Sequence, residues 1–120
     1  MTDILVVDDS LSMRHMVSLT LTEANYNVTV AEDGVQGLER AREGAFDLVI
    51  TDVNMPNMDG LTLVKEIRNL ASYKYTPLLV LTTESSDEKK AQGKAAGATG
   101  WIVKPFDPDK LLKLVSRVVN

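Results

Sequence analysis

Cysteine is absent from this chain, which excludes disulfides, thiolate metal sites and cysteine nucleophiles. Histidine occurs once, at position 15, so neither the usual catalytic triads nor a zinc site can be assembled from this chain alone. His15 stands beside Arg14 in a stretch of helical spacing and is expected to be a solvated surface residue. No apolar run exceeds about four residues, against the roughly 20 that a membrane helix needs. Met1-Thr2-Asp3 has no basic stretch and no long apolar stretch behind it, so no signal peptide is expected. Neither GxGxxG nor GxxxxGK occurs, because Gly93-Lys94 lacks a glycine five positions earlier. A nucleotide cradle is therefore not expected.

Net positive charge is lacking too: the formal charge is −4, which disfavours nucleic acid as a partner. The charge is unevenly spread. Residues 1–85 carry 6 basic and 13 acidic side chains, whereas residues 86–120 carry 7 and 4. A basic final third on an acidic body predicts a polarised surface. At 120 residues the chain suits one domain, large enough to bury a core without staples. A cytoplasmic protein is the expectation.

What is present is a set of short apolar runs that each end on polar residues. Ile4–Val7 runs into Asp8-Asp9, Val28–Ala31 into Glu32-Asp33, and Leu48–Thr51 into Asp52. Leu78–Leu81 runs into Thr82-Thr83, and Trp101–Val103 into Lys104-Pro105. Helical spacing fills the intervals. Met13, Met16, Val17, Leu21 and Ala24 follow it after the cap candidates Ser10 and Ser12, and Val35, Leu38 and Ala41 make a second stripe. Leu61, Val64, Ile67 and Leu70 make a third, opened by the turn Pro56-Asn57-Met58-Asp59-Gly60. Ser85-Ser86-Asp87-Glu88 reads as a capping box for a fourth helix. That helix is weakly apolar, with an inner face of Ala91, Ala95 and Ala96 and Gly93 inside it. Asp107-Pro108 opens a fifth, whose stripe is Leu111, Leu114, Val115 and Val118.

Strand and helix in alternation predict a single α/β domain, a parallel sheet with helices on both faces. Strand two alternates apolar and polar residues and suits an edge; strands one, three and four are continuously apolar and suit the interior. All C-terminal strand ends then share one edge, which is where ligands sit in open α/β sheets. Three carboxylates there repel one another, and a hard divalent cation resolves this. Mg²⁺ takes oxygen ligands and often binds through one or two carboxylates plus a phosphate. Asp8, Asp9 and Asp52 supply carboxylates, and a backbone carbonyl near Asn54 is a further oxygen. Lys104 serves phosphate as a point charge, and Thr82 offers a hydroxyl. Each has a plainer role, as loop solvation or as the end of a ladder; for Glu32-Asp33 the plainer reading, a helix cap, is preferred.

Taken together, Leu5–Ser10, Asp47–Asp52, Met55–Gly60, Leu81–Thr83 and Val103–Phe106 resemble the receiver domain of two-component response regulators. The resemblance covers about residues 3–119 and is nearest to the stand-alone chemotaxis regulators. It implies a flavodoxin-like doubly wound sheet of order 2-1-3-4-5 with five helices on both faces. It further implies that residues 1–120 are a single receiver domain without an output domain, acting as a monomer.

The resemblance makes Asp52 the acceptor of a phosphoryl group from a histidine kinase. It assigns Mg²⁺ to Asp8, Asp9, Asp52 and the Asn54 carbonyl, and gives Thr82 and Lys104 contacts to the phosphoryl group. An aromatic of strand five turns inward on activation, here Trp101 where tyrosine or phenylalanine is usual. Asn54 and Glu84 occupy the positions that tune phosphoryl lifetime, and imply a short-lived signal. Its implied partners are the kinase, a downstream target such as a flagellar motor switch, and a phosphatase. The chain is then a switch with self-phosphorylation and autodephosphorylation chemistry, not an enzyme with its own substrate. An aspartyl-phosphate phosphohydrolase is the alternative, but it carries a second aspartate where this chain has Asn54, and usually a substrate cap. A flavin carrier is disfavoured by the Asp8-Asp9 pair, which would repel a flavin phosphate. The Lys104–Pro105 bond is expected to be cis, since Lys104 must turn back over the strand edge and proline makes this accessible at roughly 0.5–1 kcal/mol.

Overall fold

The expected alternation is present in a computed structural model, which describes residues 1–119. The strands are β1 (Asp3–Val7), β2 (Asn27–Ala31), β3 (Leu48–Thr51), β4 (Leu78–Thr82) and β5 (Gly100–Val103). The helices are α1 (Leu11–Glu23), α2 (Gly34–Glu43), α3 (Gly60–Arg68), α4 (Asp87–Ala96) and α5 (Pro108–Val119), with one 3₁₀ turn at Ala71–Tyr73. All strand pairs are parallel and the order is β2-β1-β3-β4-β5. The alternating strand β2 is indeed an edge. Among the described residues no helix is long and apolar enough to cross a membrane.

The interior strands are apolar throughout because both their faces are covered. Leu5, Val7, Val49, Leu78 and Val80 point toward α2 and α3, where Leu38, Ala41, Leu63, Val64 and Ile67 close the core. Ile4, Val6, Leu48, Ile50, Leu79 and Leu81 point the other way, onto Val17 and Leu21 of α1 and Leu111 and Val115 of α5. The period of two along each strand thus divides one set of residues between two cores.

Register places the strand ends level. Val7 pairs with Thr51 and Thr51 with Val80, while Thr82 pairs with Val103. The ladder continues one step further, with Asp52 N–H donating to the Val7 carbonyl (3.0 Å) and Lys104 N–H to the Thr82 carbonyl (2.8 Å). Side-chain caps start the helices directly beyond this edge. Ser10, Asp33, Asp59 and Ser86 accept hydrogen bonds from the N–H groups of Met13, Gln36, Thr62 and Lys89.

Some local expectations are corrected. Met16 is 53% exposed; in α1 only Val17 and Leu21 are buried. Val35 is likewise exposed, and α2 meets the sheet instead at Gly37, where a Cβ would stand 3.0 Å from Val7 Cγ2, while Gly34 lies against Met58 in the turn before α3. The α4 cap is Ser86, one residue later than a Ser85/Glu88 box requires. Lys89 then stands three residues on and has no acceptor to return the bond. The inner face of α4 is Gly93 with Ala96 packed on the core, whereas Ala91 and Ala95 are exposed. The Lys104–Pro105 bond is cis, and His15 is exposed.

Candidate functional site

Asp8 follows β1 and is 3% exposed. Its Oδ1 accepts from the Ser10 N–H (2.9 Å), its Oδ2 from Lys104 Nζ (2.8 Å), and its carbonyl from Arg14 Nη1 (2.8 Å). Asp52 follows β3. Its Oδ1 accepts from the Val53 N–H (2.6 Å) and its Oδ2 from Lys104 Nζ (3.0 Å). Asp9 is exposed beside them. Each of the three carboxylates places an oxygen within 4.8 Å of those of the other two. Lys104 therefore reaches from the far end of the sheet to join two carboxylates that lie 96 and 52 residues away in sequence.

Charge decides what this pocket can hold. The Lys104, Asp8 and Asp52 side chains are 8%, 5% and 12% exposed, so little water screens them. Burial alone draws the Lys104 ammonium pKa down, but its hydrogen bonds to Asp8 and Asp52 outweigh that and hold it above the ordinary lysine value. Lys104 stays charged. One ammonium against three carboxylates leaves two negative charges unmatched. An all-oxygen donor set with that deficit fits a hard divalent cation such as Mg²⁺. Adjacent ligands of an octahedral Mg²⁺ stand about 2.9 Å apart and opposite ones about 4.2 Å, so the three carboxylates would have to draw together around the ion.

Thr82 ends β4 and is fully buried. Its Oγ1 accepts from the Glu84 N–H at 3.3 Å, which leaves the hydroxyl proton available. Trp101, half-buried on β5, packs against the core and donates its indole Nε1–H to the Glu84 carbonyl at 2.9 Å. The ring thus already faces inward without a phosphoryl group, where the resemblance implies an inward turn on activation. Glu84 thus links the two side chains through its backbone. Asn54 is exposed two residues beyond Asp52.

Among the described residues neither Glu32 nor Asp33 is part of that carboxylate cluster, and Glu32 stands 4.0 Å from Arg14. Asp33 caps α2, accepting from the Gln36 N–H (2.9 Å) and the Asn57 side chain (2.7 Å). Those bonds, the Gln36 one foremost, hold its carboxyl below the ordinary value. Asn57 adopts φ 68 in the turn before α3, a conformation asparagine tolerates better than most residues.

Three contributors are not signalled by the sequence. The Ser10 and Val53 N–H groups that orient Asp8 and Asp52 are backbone groups, which no residue type signals. Gly60 was legible only as part of a turn, yet a Cβ there would lie 1.7 Å from the Asp52 carbonyl oxygen. Its own N–H donates to the Val53 carbonyl at 2.8 Å, so α3 starts hard against the backbone of Asp52.

Comparison with known proteins adds the following. The family model of the response regulator receiver domain matches residues 4–116. Response regulator ArlR of Staphylococcus epidermidis is 37% identical over 120 residues, which is 100% of this chain and 53% of that protein. The chain spans about half the length of the curated relatives it matches. The solved structure of the chemotaxis response regulator CheY4 of Vibrio cholerae is 55% identical, with a TM-score of 0.93 and 98% of both chains covered. The receiver domain of the sensor histidine kinase PA1611 of Pseudomonas aeruginosa PAO1 is 25% identical, with a TM-score of 0.92, covering 98% of this chain and 97% of that one. That structure holds a magnesium ion coordinated in its active site cleft.

Proposed function

The chain belongs to the response regulator receiver domain family, and from that premise we propose that it is a cytoplasmic, phosphorylation-activated switch of a chemotaxis pathway with Asp52 as its phosphoacceptor. The observation that carries this reading is the setting of Asp52, whose carboxylate pairs with the Lys104 ammonium at 3.0 Å and places an oxygen within 4.8 Å of oxygens of Asp8 and Asp9. The chemotaxis assignment is supported by the 55% identity to CheY4 over 98% of both chains. The likeness to ArlR supports a response regulator in general.

In the proposed reaction a carboxylate oxygen of Asp52 attacks the phosphorus of a phosphohistidine on the kinase. An O–P bond forms, the P–N bond breaks, and the imidazole leaves with the electron pair. Asp8, Asp9, Asp52 and the Asn54 carbonyl are the proposed ligands of Mg²⁺, which would offset the charge of the incoming phosphoryl oxygens. The acidic pocket supports that ligand set, and so does the magnesium in the PA1611 receiver. Lys104 pairs with one phosphoryl oxygen, and the buried Thr82 hydroxyl donates to another. Asn54 and Glu84, two residues beyond Asp52 and Thr82, are the proposed tuners of the acyl phosphate's lifetime, alone or with a phosphatase.

Phosphorylation adds a charge of about −1.5 to −2 and three acceptor oxygens. The Thr82 hydroxyl proton gains a phosphoryl acceptor only then, so that contact biases a two-state element made of β4, α4 and β5. The output face lies there. Lys89, Lys90 and Lys94 of α4 and Lys110, Lys113 and Arg117 of α5 flank β5. A cavity of about 330 Å³ opens between Lys90, Lys94, Ala98, Thr99, Gly100 and Trp101. An acidic amphipathic segment of the target, for instance of a flagellar motor switch, suits that combination of charge and apolar floor.

Titration with Mg²⁺ and a small-molecule phosphodonor tests the switch. Trp101 is the only tryptophan, and its emission should change together with the amide shifts of residues 86–106. An Asp52→Asn protein should show neither change. If the intact protein leaves both signals unchanged, the output mechanism is wrong.

A further inference from the structure

Gly93 is the only residue of α4 that is buried. Mid-helix glycine is a poor helix former, and alanine is the best, so its presence asks for a packing reason. A Cβ at position 93 would stand 2.6 Å from Cζ3 and 3.0 Å from Cε3 of Trp101, closer than carbon atoms approach, and 3.5 Å from Leu61 Cδ2. The six-membered ring of the indole therefore occupies the space that a side chain on α4 would take. The opposite edge of the same indole is tied down, with Nε1–H donating to the Glu84 carbonyl and the Glu84 N–H donating to Thr82 Oγ1.

We propose that Gly93 is a positioning residue: the notch it leaves in α4 seats Trp101 inward, and the seated indole holds the Glu84 backbone against Thr82. Trp101 is larger than the tyrosine or phenylalanine usual at this strand position, and the missing side chain at 93 makes room for the difference. The signalling consequence rests on the proposed function. The seat itself rests on packing alone.

Gly93→Ala tests the seat without a phosphodonor. The single indole N–H resonance should shift and exchange roughly five- to tenfold faster, as expected for one lost hydrogen bond, and the emission should move to the red. A second variant separates this from a generic helix effect. In a Trp101→Phe background the smaller ring leaves space, so Gly93→Ala should raise the melting temperature there while lowering it in the Trp101 background. If Gly93→Ala alone fails to fold and the double variant folds, the seat is supported. If the double variant also fails to fold, it is overturned. A Gly93→Ala protein with an unchanged indole resonance, or an effect of the same sign in both backgrounds, also overturns it. Failure of Asp52 to accept a phosphoryl group would instead overturn the proposed function and leave these outcomes as they stand.

Discussion

Lys104 Nζ stands 3.0 Å from Oδ2 of Asp52, in an ion pair whose side chains are 8% and 12% exposed. Its second bond, to Asp8, makes Lys104 the resident cation between two nearly buried carboxylates. Phosphorylation of Asp52 would change what that ammonium faces, from a carboxylate to a phosphoryl oxygen, without any need for the lysine to travel far. The same pair has a consequence for stability.

Lys104→Met leaves Asp8 and Asp52 facing each other without a counter-charge. Removing one partner of a buried pair costs about 3–5 kcal/mol, and denaturant melts in metal-free buffer at neutral pH should show a loss of that order. The pH dependence has a definite sign. The folded pKa of Lys104 is raised, so its contribution is fully present below the ordinary lysine value of about 10.4 and is lost as the pH rises through the folded value. The stability difference between the two proteins should hold from pH 7 to about 10 and shrink only above that. A difference that is already gone at about pH 8 would contradict the pairing.

Millimolar Mg²⁺ should raise the melting temperature, because it relieves a repulsion that exists only when the carboxylates are gathered by folding. Free ion at about 100 times its dissociation constant stabilises by about 2.7 kcal/mol. Asp9 is exposed, so Asp9→Asn should fold normally and yet need more Mg²⁺ for the same rise. A melt that ignores the ion in the intact protein would remove the metal from this pocket.

Much of the site could be read before the fold was known, and the reason is topological. Parallel strands bring all their C-terminal ends together, so the residues after the apolar runs (Asp8, Asp9, Asp52, Thr82 and Lys104) become neighbours once the runs are recognised as strands. Their side chains carry charge or a hydroxyl, and those announce themselves. What stayed hidden was shape and backbone. The closeness of Gly60 to the Asp52 carbonyl, the notch at Gly93 and the orienting N–H groups of Ser10 and Val53 depend on how elements pack, and packing leaves no periodic trace. Met16 misled for a related reason. It has helical spacing with Val17, but α1 contacts the sheet through too narrow a stripe to cover both.

Asp33 gives a control outside the pocket. Asp33→Ala removes the α2 cap and should cost about 1 kcal/mol at neutral pH. Its folded pKa is depressed, so the cap contribution is present above the ordinary aspartate value of about 3.9 and is lost as pH falls through the folded value. Melts of the two proteins should therefore converge only in acid below about pH 4. Convergence near pH 6 would mean that the carboxylate does not hold the cap.

Gly60→Ala should be among the most damaging small substitutions. The added carbon overlaps the Asp52 carbonyl oxygen, and because that obstacle is backbone, α3 and the acceptor loop must separate. Overpacking costs typically 1–3 kcal/mol, and about 3 or more is expected here because no side chain can turn aside. Phosphoryl uptake should fall with stability. A Gly60→Ala protein with unchanged melting and unchanged uptake would show that α3 does not brace Asp52.

The most direct test of the central claim is intact-mass analysis after incubation with Mg²⁺ and a small-molecule phosphodonor. The intact protein should gain one phosphoryl group, the gain should be lost on chelation of the metal, and Asp52→Asn should gain none while still melting cooperatively. Lys104→Ala should still take up the group but leave the residue 86–106 amide shifts unmoved. A phosphoryl group that persists on the Asp52→Asn protein, or an intact protein that takes up none with metal and donor present, would contradict the assignment of Asp52 as the phosphoacceptor.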